Sequence, residues 1–507
     1  MRKQEQSEYS GFRRAGIRLN EELIPGLVPH DSAKVQRTLF AAHLFDKAHL
    51  VSLVEEQLVP HNDGVAMLQA LRDMEHKGVE KVRLETQGGN HSGEQYLIRL
   101  LGEDVGGRIH MGRSSPDFTT VTGRIGRRTS LLKIMEELNA LRDALLGIAA
   151  RHYDTIMPAY SHGQHAQPTT YGHLMLAWVA ALGRDFERLF QAFKRENECP
   201  AGSAILSGAG FPLNRHRVSE LMGFDRPIAN TFDATQHADN LLQSFCAVSI
   251  LHSNLMKWCE DILLFTTSEF NMLVIPDRFC GTSSIMMQKK NVYSAEEIKG
   301  AAAEAIGGLT TAFIVEKDIT SFPVLDRQYS IRACYTAMDT AVRNLKWLTE
   351  MLPEIEVRRE HMQERAGEFW GQATDIAEAL VRETGLNWRS AHQIVAILVR
   401  HTLKKGLKPS DATLEMLDAA AIEYFDRKTG LSNEAFQASL DPVNFIMRRD
   451  IFGGAAPNEA ARRHADFKEQ LEKDRQVIAD LRSQQEAAAS KLESAINTIL
   501  VSQPGHP

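Results

Sequence analysis

Residues 173–182, HLMLAWVAAL, are apolar almost all the way round a helical projection. A helix of that kind has no solvent face and must be buried on several sides. It is not alone. From Ser130 to Ile148, apolar residues recur at Leu131, Ile134, Met135, Leu138, Leu141, Leu145 and Ile148, the 3,4 spacing of one buried helix face. Similar stretches run from about Pro168 to Glu198, Gln236 to Phe265, Ser294 to Val315 and Tyr329 to Met351, with Pro168 and Ser294 suited to helix starts. There is no series of short alternating strands, so a large sheet is excluded. The fold expected is all-α, a bundle of long helices that several chains can share.

Around that centre the sequence suggests four units. Residues 1–120 mix short helices with Gly-rich turns (GGN at 88–90, GG at 106–107), and residues 121–364 hold the long helices. Residues 365–460 read as a small helical unit ending in the turn GGAAP at 453–457. Residues 461–507 form a charged helical tail. Its apolar positions, Leu471, Val477, Leu481, Leu492 and Ile496, are sparse. The plainer expectation is a solvated helix packed weakly on the body; a coiled-coil contact is the alternative.

The net charge of −7 over 507 residues supplies no basic face, which argues against nucleic acid as a partner. The five cysteines, at 199, 246, 259, 280 and 334, lack zinc or redox spacing and suggest reduced thiols. The opening MRKQEQSEYSGFRRAG lacks the apolar stretch of a secretory signal, and no apolar run approaches the roughly 20 residues that span a bilayer. A cytoplasmic protein without a membrane partner is expected.

Three polar segments interrupt the helical pattern. HMGRSSPD, residues 110–117, is a surface turn or an anion site in which Arg113, Ser114 and backbone N–H groups hold a carboxylate. MPAYSHGQHAQPTTYGH, residues 157–173, carries three histidines; no Asp, Glu or Cys completes a metal set with His162 and His165. Read as a turn feeding a helix at Pro168, it places Ser161 and His162 near a helix N-terminus. CGTSSIMMQKKNVYSAEE, residues 280–297, is a small-residue loop followed by two lysines, an Asn and a helix start. Such a loop closes over a substrate, or is simply an exposed basic loop.

Together the segments resemble the argininosuccinate lyase family of the fumarase/aspartase superfamily. SSIMMQKKN is similar to the superfamily loop GSSxMPxKxN, MPAYSHGQHAQPTTYGH to MPGYTHxQxAQPxTFGH, and GGRIHMGRS to GKLHTGRS. CPAGSAILSGAGFPLNR, GFDRPIANTFDA and DPVNFIMRRDIFGGAAP also resemble family stretches, in the family's order, from about residue 85 to 457.

The resemblance implies a β-elimination that releases fumarate from an N-substituted aspartate. A base removes a proton from the carbon beside a carboxylate, charge flows into that carboxylate, and an acid protonates the leaving nitrogen. By resemblance Ser283, in the signature loop 280–292, is the base. Lys289 and Asn291 bind substrate carboxylates. His162 is the catalytic histidine and Glu296 its carboxylate partner, often across a subunit boundary. Ser161, Ser114 and His91 match further substrate positions. The implied architecture is three helical domains per chain, four chains around a central bundle, and sites assembled from three subunits, with no metal or organic cofactor.

The chain departs from the family at recognisable places. The Arg–Asn of GRSRND is Ser115–Pro116, and the SDRD that follows NSLDA is Gln236, His237, Ala238, Asp239. SFPVLDRQYS at 321–330 stands in place of YNRDxQED, and Met287 and Val292 replace prolines of the signature loop. The elimination residues are kept while the recognition residues change, so the expectation is retained chemistry on argininosuccinate or a related adduct. The alternatives are a non-catalytic structural homologue and an aspartase- or fumarase-type lyase.

Overall fold

The computed structural model describes residues 32–86, 89–317 and 325–502. Gly88 of the GGN turn, residues 321–324 of the SFPVLDRQYS stretch and the opening residues to Asp31 lie outside them. The five longest patterned stretches form the centre: helices Ser115–Arg151, Tyr171–Glu196, Asp239–Phe265, Tyr293–Val315 and Arg327–Met351 pack side by side. Their core runs from Leu131, Leu138 and Leu145 through Met175, Val179 and Leu182 to Leu251, Leu255, Met338 and Leu345. Trp178 and Trp258 stack at its middle, ring centroids 4.9 Å apart.

A second core gathers the helices before residue 115. Phe45, Met67, Leu71 and Leu97 pack with Phe118 from the first bundle helix and with Val218 and Leu221. A third, around Ile376, Leu380, Ile394, Leu398 and Phe436, belongs to residues 370–440 alone. Helices run straight through the boundaries expected at 120, 364 and 460, so the units join through shared helices. Strands are confined among the described residues to two-stranded ribbons.

The tail is not weakly packed. Pro457–Val501 is one helix of 45 residues, about 68 Å long at 1.5 Å per residue. Leu471, Ile478, Leu492 and Ile499 recur at multiples of seven and are buried. The first two join the bundle core and the last two the N-terminal core. Asp474, buried on the same stripe, pairs with the fully buried Arg142. A heptad seam made against the chain's own helices explains why so few apolar residues suffice.

The expectation of no membrane-length apolar run also needs correcting. Tyr293–Val315 is long and apolar enough by length and composition to cross a membrane, although 28% of its most apolar window is buried in this chain. Ala295, Ile298, Ala302 and Ala305 face the core, while Ile306, Phe313 and Ile314 stay exposed on the outer side.

Candidate active site

The segment around His162 is a β-hairpin. Ile156–Ser161 pairs antiparallel with Gln164–Thr170, and Ser161 faces Gln164 across a two-residue turn. His162 and Gly163 both have positive φ, 56° and 72°, as the tight turn of a twisted hairpin requires. The helix begins at Tyr171, not at Pro168, and Thr170 caps it by accepting the His173 N–H at 3.1 Å. Pro168 sits opposite Pro158, tolerable because both strands of a ribbon are edges. Ser161 and His162 therefore project at an exposed hairpin tip rather than a helix N-terminus. His165 is taken up by ring contacts with Tyr160 and Phe369, at 4.9 and 4.6 Å.

The signature loop is a hairpin too. Gly281–Thr282 pairs with Lys290–Asn291. A Cβ on Gly281 would lie 1.8 Å from the Tyr293 ring, so glycine is required there. Tyr293 closes the base of the hairpin by donating its hydroxyl to the Thr282 carbonyl at 3.2 Å. Ser283 Oγ accepts the Met286 N–H at 3.0 Å, and Lys290 pairs with Asp277 at 2.5 Å. Lys289 and Glu296 are exposed, and their side chains make no ion pair among the described residues. The loop tip presents Ile285 and Met287, 82% and 90% exposed. An open cavity beside it is lined by Cys280, Tyr293, Glu296, Trp347 and Glu350.

Ser114 is the N-cap of Ser115–Arg151. Its N–H donates to Asp117 at 2.9 Å, and the buried Asp117 also accepts the Ser203 hydroxyl at 2.8 Å and the Ala204 N–H at 3.1 Å. Pro116 falls in the first turn, where a missing N–H costs little. Ser115 Oγ lies 2.8 Å from His91 Nε2. Arg113 does not fit the expected carboxylate-binding role. Its guanidinium is fully buried, donates to Asp46 at 2.7 Å and stacks over Phe118. Asp46 in turn holds Arg83, and the two arginines keep its carboxyl below the usual range against the opposing effect of burial. With its guanidinium buried beneath the loop, Arg113 holds the segment under Ser114 in place.

A second cavity lies at the Ser114 end of the bundle. Its walls include Pro116, Gln236, His237, Ala238 and Arg327, drawn from three sequence-distant stretches that depart from the family pattern. Arg124 and Arg127 line it as well, and no Asp or Glu does. Arg127 is neutralised by a bidentate pair with buried Glu196, at 2.7 and 3.0 Å. Arg327 pairs with Glu316 and donates to the Thr235 and Gln236 carbonyls. Arg124 donates to the Arg195 carbonyl at 2.6 Å, and burial lowers its pKa. The sequence reading missed Arg124 and Arg327; basic residues inside helical patterns carry no local signal of the cavity they line.

These groups sit at two ends of one bundle. Glu296 lies in the first turn of Tyr293–Val315, and Glu316, which caps the far end, pairs with Arg327 at the second cavity. Twenty residues of helix put about 30 Å between them. His162, Ser283 and Glu296 belong to one end, and Ser114 and His91 to the other. One end presents a hydroxyl, an imidazole, a carboxylate and a lysine, the other a helix N-terminus and arginines.

A family described as lyase matches residues 40–307, and one described as argininosuccinate lyase C-terminal matches residues 370–447. Argininosuccinate lyase of Methanosarcina barkeri is 35% identical over 467 residues, 92% of this chain and 94% of that one. That of Methanocaldococcus jannaschii is 35% identical over 445 residues, 87% and 90% of the two chains. Among solved structures, EDDS lyase in complex with formate superposes with a TM-score of 0.83 at 27% identity, covering 92% of each chain, and an EDDS lyase variant with bound fumarate gives 0.82. The chain belongs to the argininosuccinate lyase family and is a carbon–nitrogen lyase that eliminates fumarate from an N-substituted aspartate.

Proposed function

We propose that the elimination runs in a self-assembled, tetrameric cytoplasmic enzyme, in sites that combine the two bundle ends of different copies. Ser283 takes the proton from the carbon beside the substrate carboxylate. His162, polarised by Glu296 of another copy, serves the leaving nitrogen, which gains a proton as the carbon–nitrogen bond breaks. Lys289, Asn291, Ser161, Ser114 and His91 hold the carboxylates, and the N-terminus of Ser115–Arg151 favours the negative charge that develops. The exposed apolar outer face of Tyr293–Val315 supports burial against neighbouring copies.

The leaving amine, in this reading, is not arginine. One observation carries it: Pro116, Gln236, His237, Ala238 and Arg327 converge on a single cavity whose walls hold arginines and no carboxylate. Arg127 and Arg327 are already paired with Glu196 and Glu316, so a cationic group there would meet Arg124 and find no free carboxylate on the walls, whereas a neutral or carboxylate-bearing amine would not be opposed. The similarity to EDDS lyase supports a family member acting on another adduct.

The test is ultraviolet detection of fumarate from argininosuccinate, with Ser283→Ala beside the wild type. Slow or absent release, together with adduct formation from fumarate and a carboxylate-bearing amine, is the expected result. Rapid release from argininosuccinate that vanishes in the variant would keep the mechanism and overturn the altered substrate.

A further inference from the structure

The wall of the cavity at the Ser114 end contains a strained turn. Ala204 and Ile205 both have positive φ, 45° and 78°. For a β-branched residue that is an outlier, because the side chain crowds the backbone. The turn lies in the loop 203–208, closed by the Gly208 N–H donating to the Ser203 carbonyl at 2.9 Å. Glycine would adopt the same backbone at no steric cost, so the turn itself does not call for isoleucine.

The turn is held from both sides. The successive N–H groups of Ala204 and Ile205 converge on the buried carboxylate of Asp117, at 3.1 and 3.4 Å, and the Ser203 hydroxyl donates to it at 2.8 Å. Consecutive amides arranged in this way form a small nest for an anion, here filled by the chain's own Asp117. From the opposite side the Thr235 hydroxyl donates to the Ile205 carbonyl. Backbone strain persists where its surroundings over-determine it, and such places cluster at ligand sites.

The strained residue reaches the cavity. Ile205 and Thr235 both line it, and Ile205 is 41% exposed. The other aliphatic lining residues Ala234, Ala238, Leu241 and Ile331 are buried, and Pro116 is half-buried. Ile205 is thus the large apolar side chain of this wall that an entering ligand meets.

We propose that Ile205 determines which amine the elimination releases. Its side chain packs on the carbon stem of the amine and limits the bulk that the cavity admits, and Thr235 is the positioning residue that fixes it there. The proposal rests on the reading of this cavity as the amine's site. The class that follows is a primary amine with a short aliphatic stem. An apolar pocket separates ligands that differ by one methylene by roughly 10- to 200-fold, and Ile205→Ala removes the side chain beyond Cβ.

The test is the reverse addition, followed as loss of fumarate absorbance, with the full chain and graded amines: ethanolamine, glycine, alanine, valine, phenylalanine and arginine. The quantity read is kcat/KM for each bulky amine relative to glycine. Ile205→Ala should raise that ratio by roughly tenfold or more, with KM for fumarate within about twofold of wild type. Ile205→Gly, which also relieves the strained φ, should give the same shift and resist urea at least as well as Ile205→Ala. Thr235→Val, which takes the hydroxyl from the Ile205 carbonyl, should raise the ratio in the same direction, and Thr235→Ser, which keeps the hydroxyl, should restore it. A ratio unmoved in both Ile205 variants overturns the proposal. So does a loss that falls equally on every amine and on fumarate, the mark of a merely structural role, and so does a wild type that adds none of the compact amines. An unchanged ratio in Thr235→Val removes Thr235 from the positioning role. Preference of the wild type for arginine over glycine would overturn the altered substrate alone, and the shift in Ile205→Ala would still decide the role of Ile205.

Discussion

Ser114 and His162 lie beyond opposite ends of one helix, Ser115–Arg151. Its 37 residues span about 55 Å. The eleven residues from Arg151 to His162 reach at most about 40 Å when fully extended, so the two Cα atoms stay at least about 15 Å apart within a chain. One substrate bond cannot be served by both unless they come from different copies.

Mixed assemblies should therefore recover activity. His162→Asn and Ser114→Ala chains, each losing most fumarate release alone, are co-expressed and purified together. If every site draws these two residues from different copies, random mixing leaves about a quarter of the sites intact. Recovery near that fraction is expected. Activity no higher than the sum of the separate variants would refute shared sites.

Ser283→Ala should lower fumarate production by roughly 10²–10⁴-fold, the usual contribution of a positioned base, with little change in substrate affinity. Sedimentation should show the same assembly as the wild type, because among the described residues Ser283 Oγ is bonded only to the N–H groups of its own loop. Turnover within a few-fold of wild type would remove Ser283 from the base role.

The bundle was legible in the sequence because a helix buried on several sides leaves an apolar pattern on all of them, as Leu174 to Leu182 does. The hairpin bearing His162 was not, because its signal is two residues with positive φ, and His–Gly is a weaker mark of that turn than Asn–Gly. Arg113 was misread for a different reason: the carboxylate that claims it, Asp46, lies 67 residues away in sequence. The tail was underestimated because its seam, Leu471, Ile478, Leu492 and Ile499, is narrow and flanked by charge. The convergence of Pro116, Ala238 and Arg327 needed the fold itself, although each departure was visible separately.

The tail helix should be a large stabilising element. Asp474, on Pro457–Val501, holds Arg142 of the bundle, and both are buried. Asp474→Ala leaves an unpaired guanidinium in the core and should cost about 3–5 kcal/mol in urea unfolding. Arg482→Ala, which breaks a half-exposed pair between the tail helix and Glu136 of Ser115–Arg151, should cost under about 1 kcal/mol. Equal costs would mean that the seam's apolar residues, and not this pair, anchor the helix.

Acid sensitivity should trace in part to His49. The ring is buried, with Nε2 donating to the Met111 carbonyl at 2.9 Å. Burial, with Arg113 nearby, pushes its pKa from 6.5 down to about 3. The folded chain thus leaves this imidazole neutral at pH values where the unfolded chain protonates it. Its contribution to stability is complete above pH 6.5 and is lost as the pH falls from there toward 3, by at most about 1.4 kcal/mol per pH unit. In His49→Gln, which keeps a donor for Met111, urea stability should fall less steeply across that window and be no greater than wild type at neutral pH. An unchanged slope between pH 6.5 and the onset of acid unfolding would show that His49 takes up its proton without unfolding.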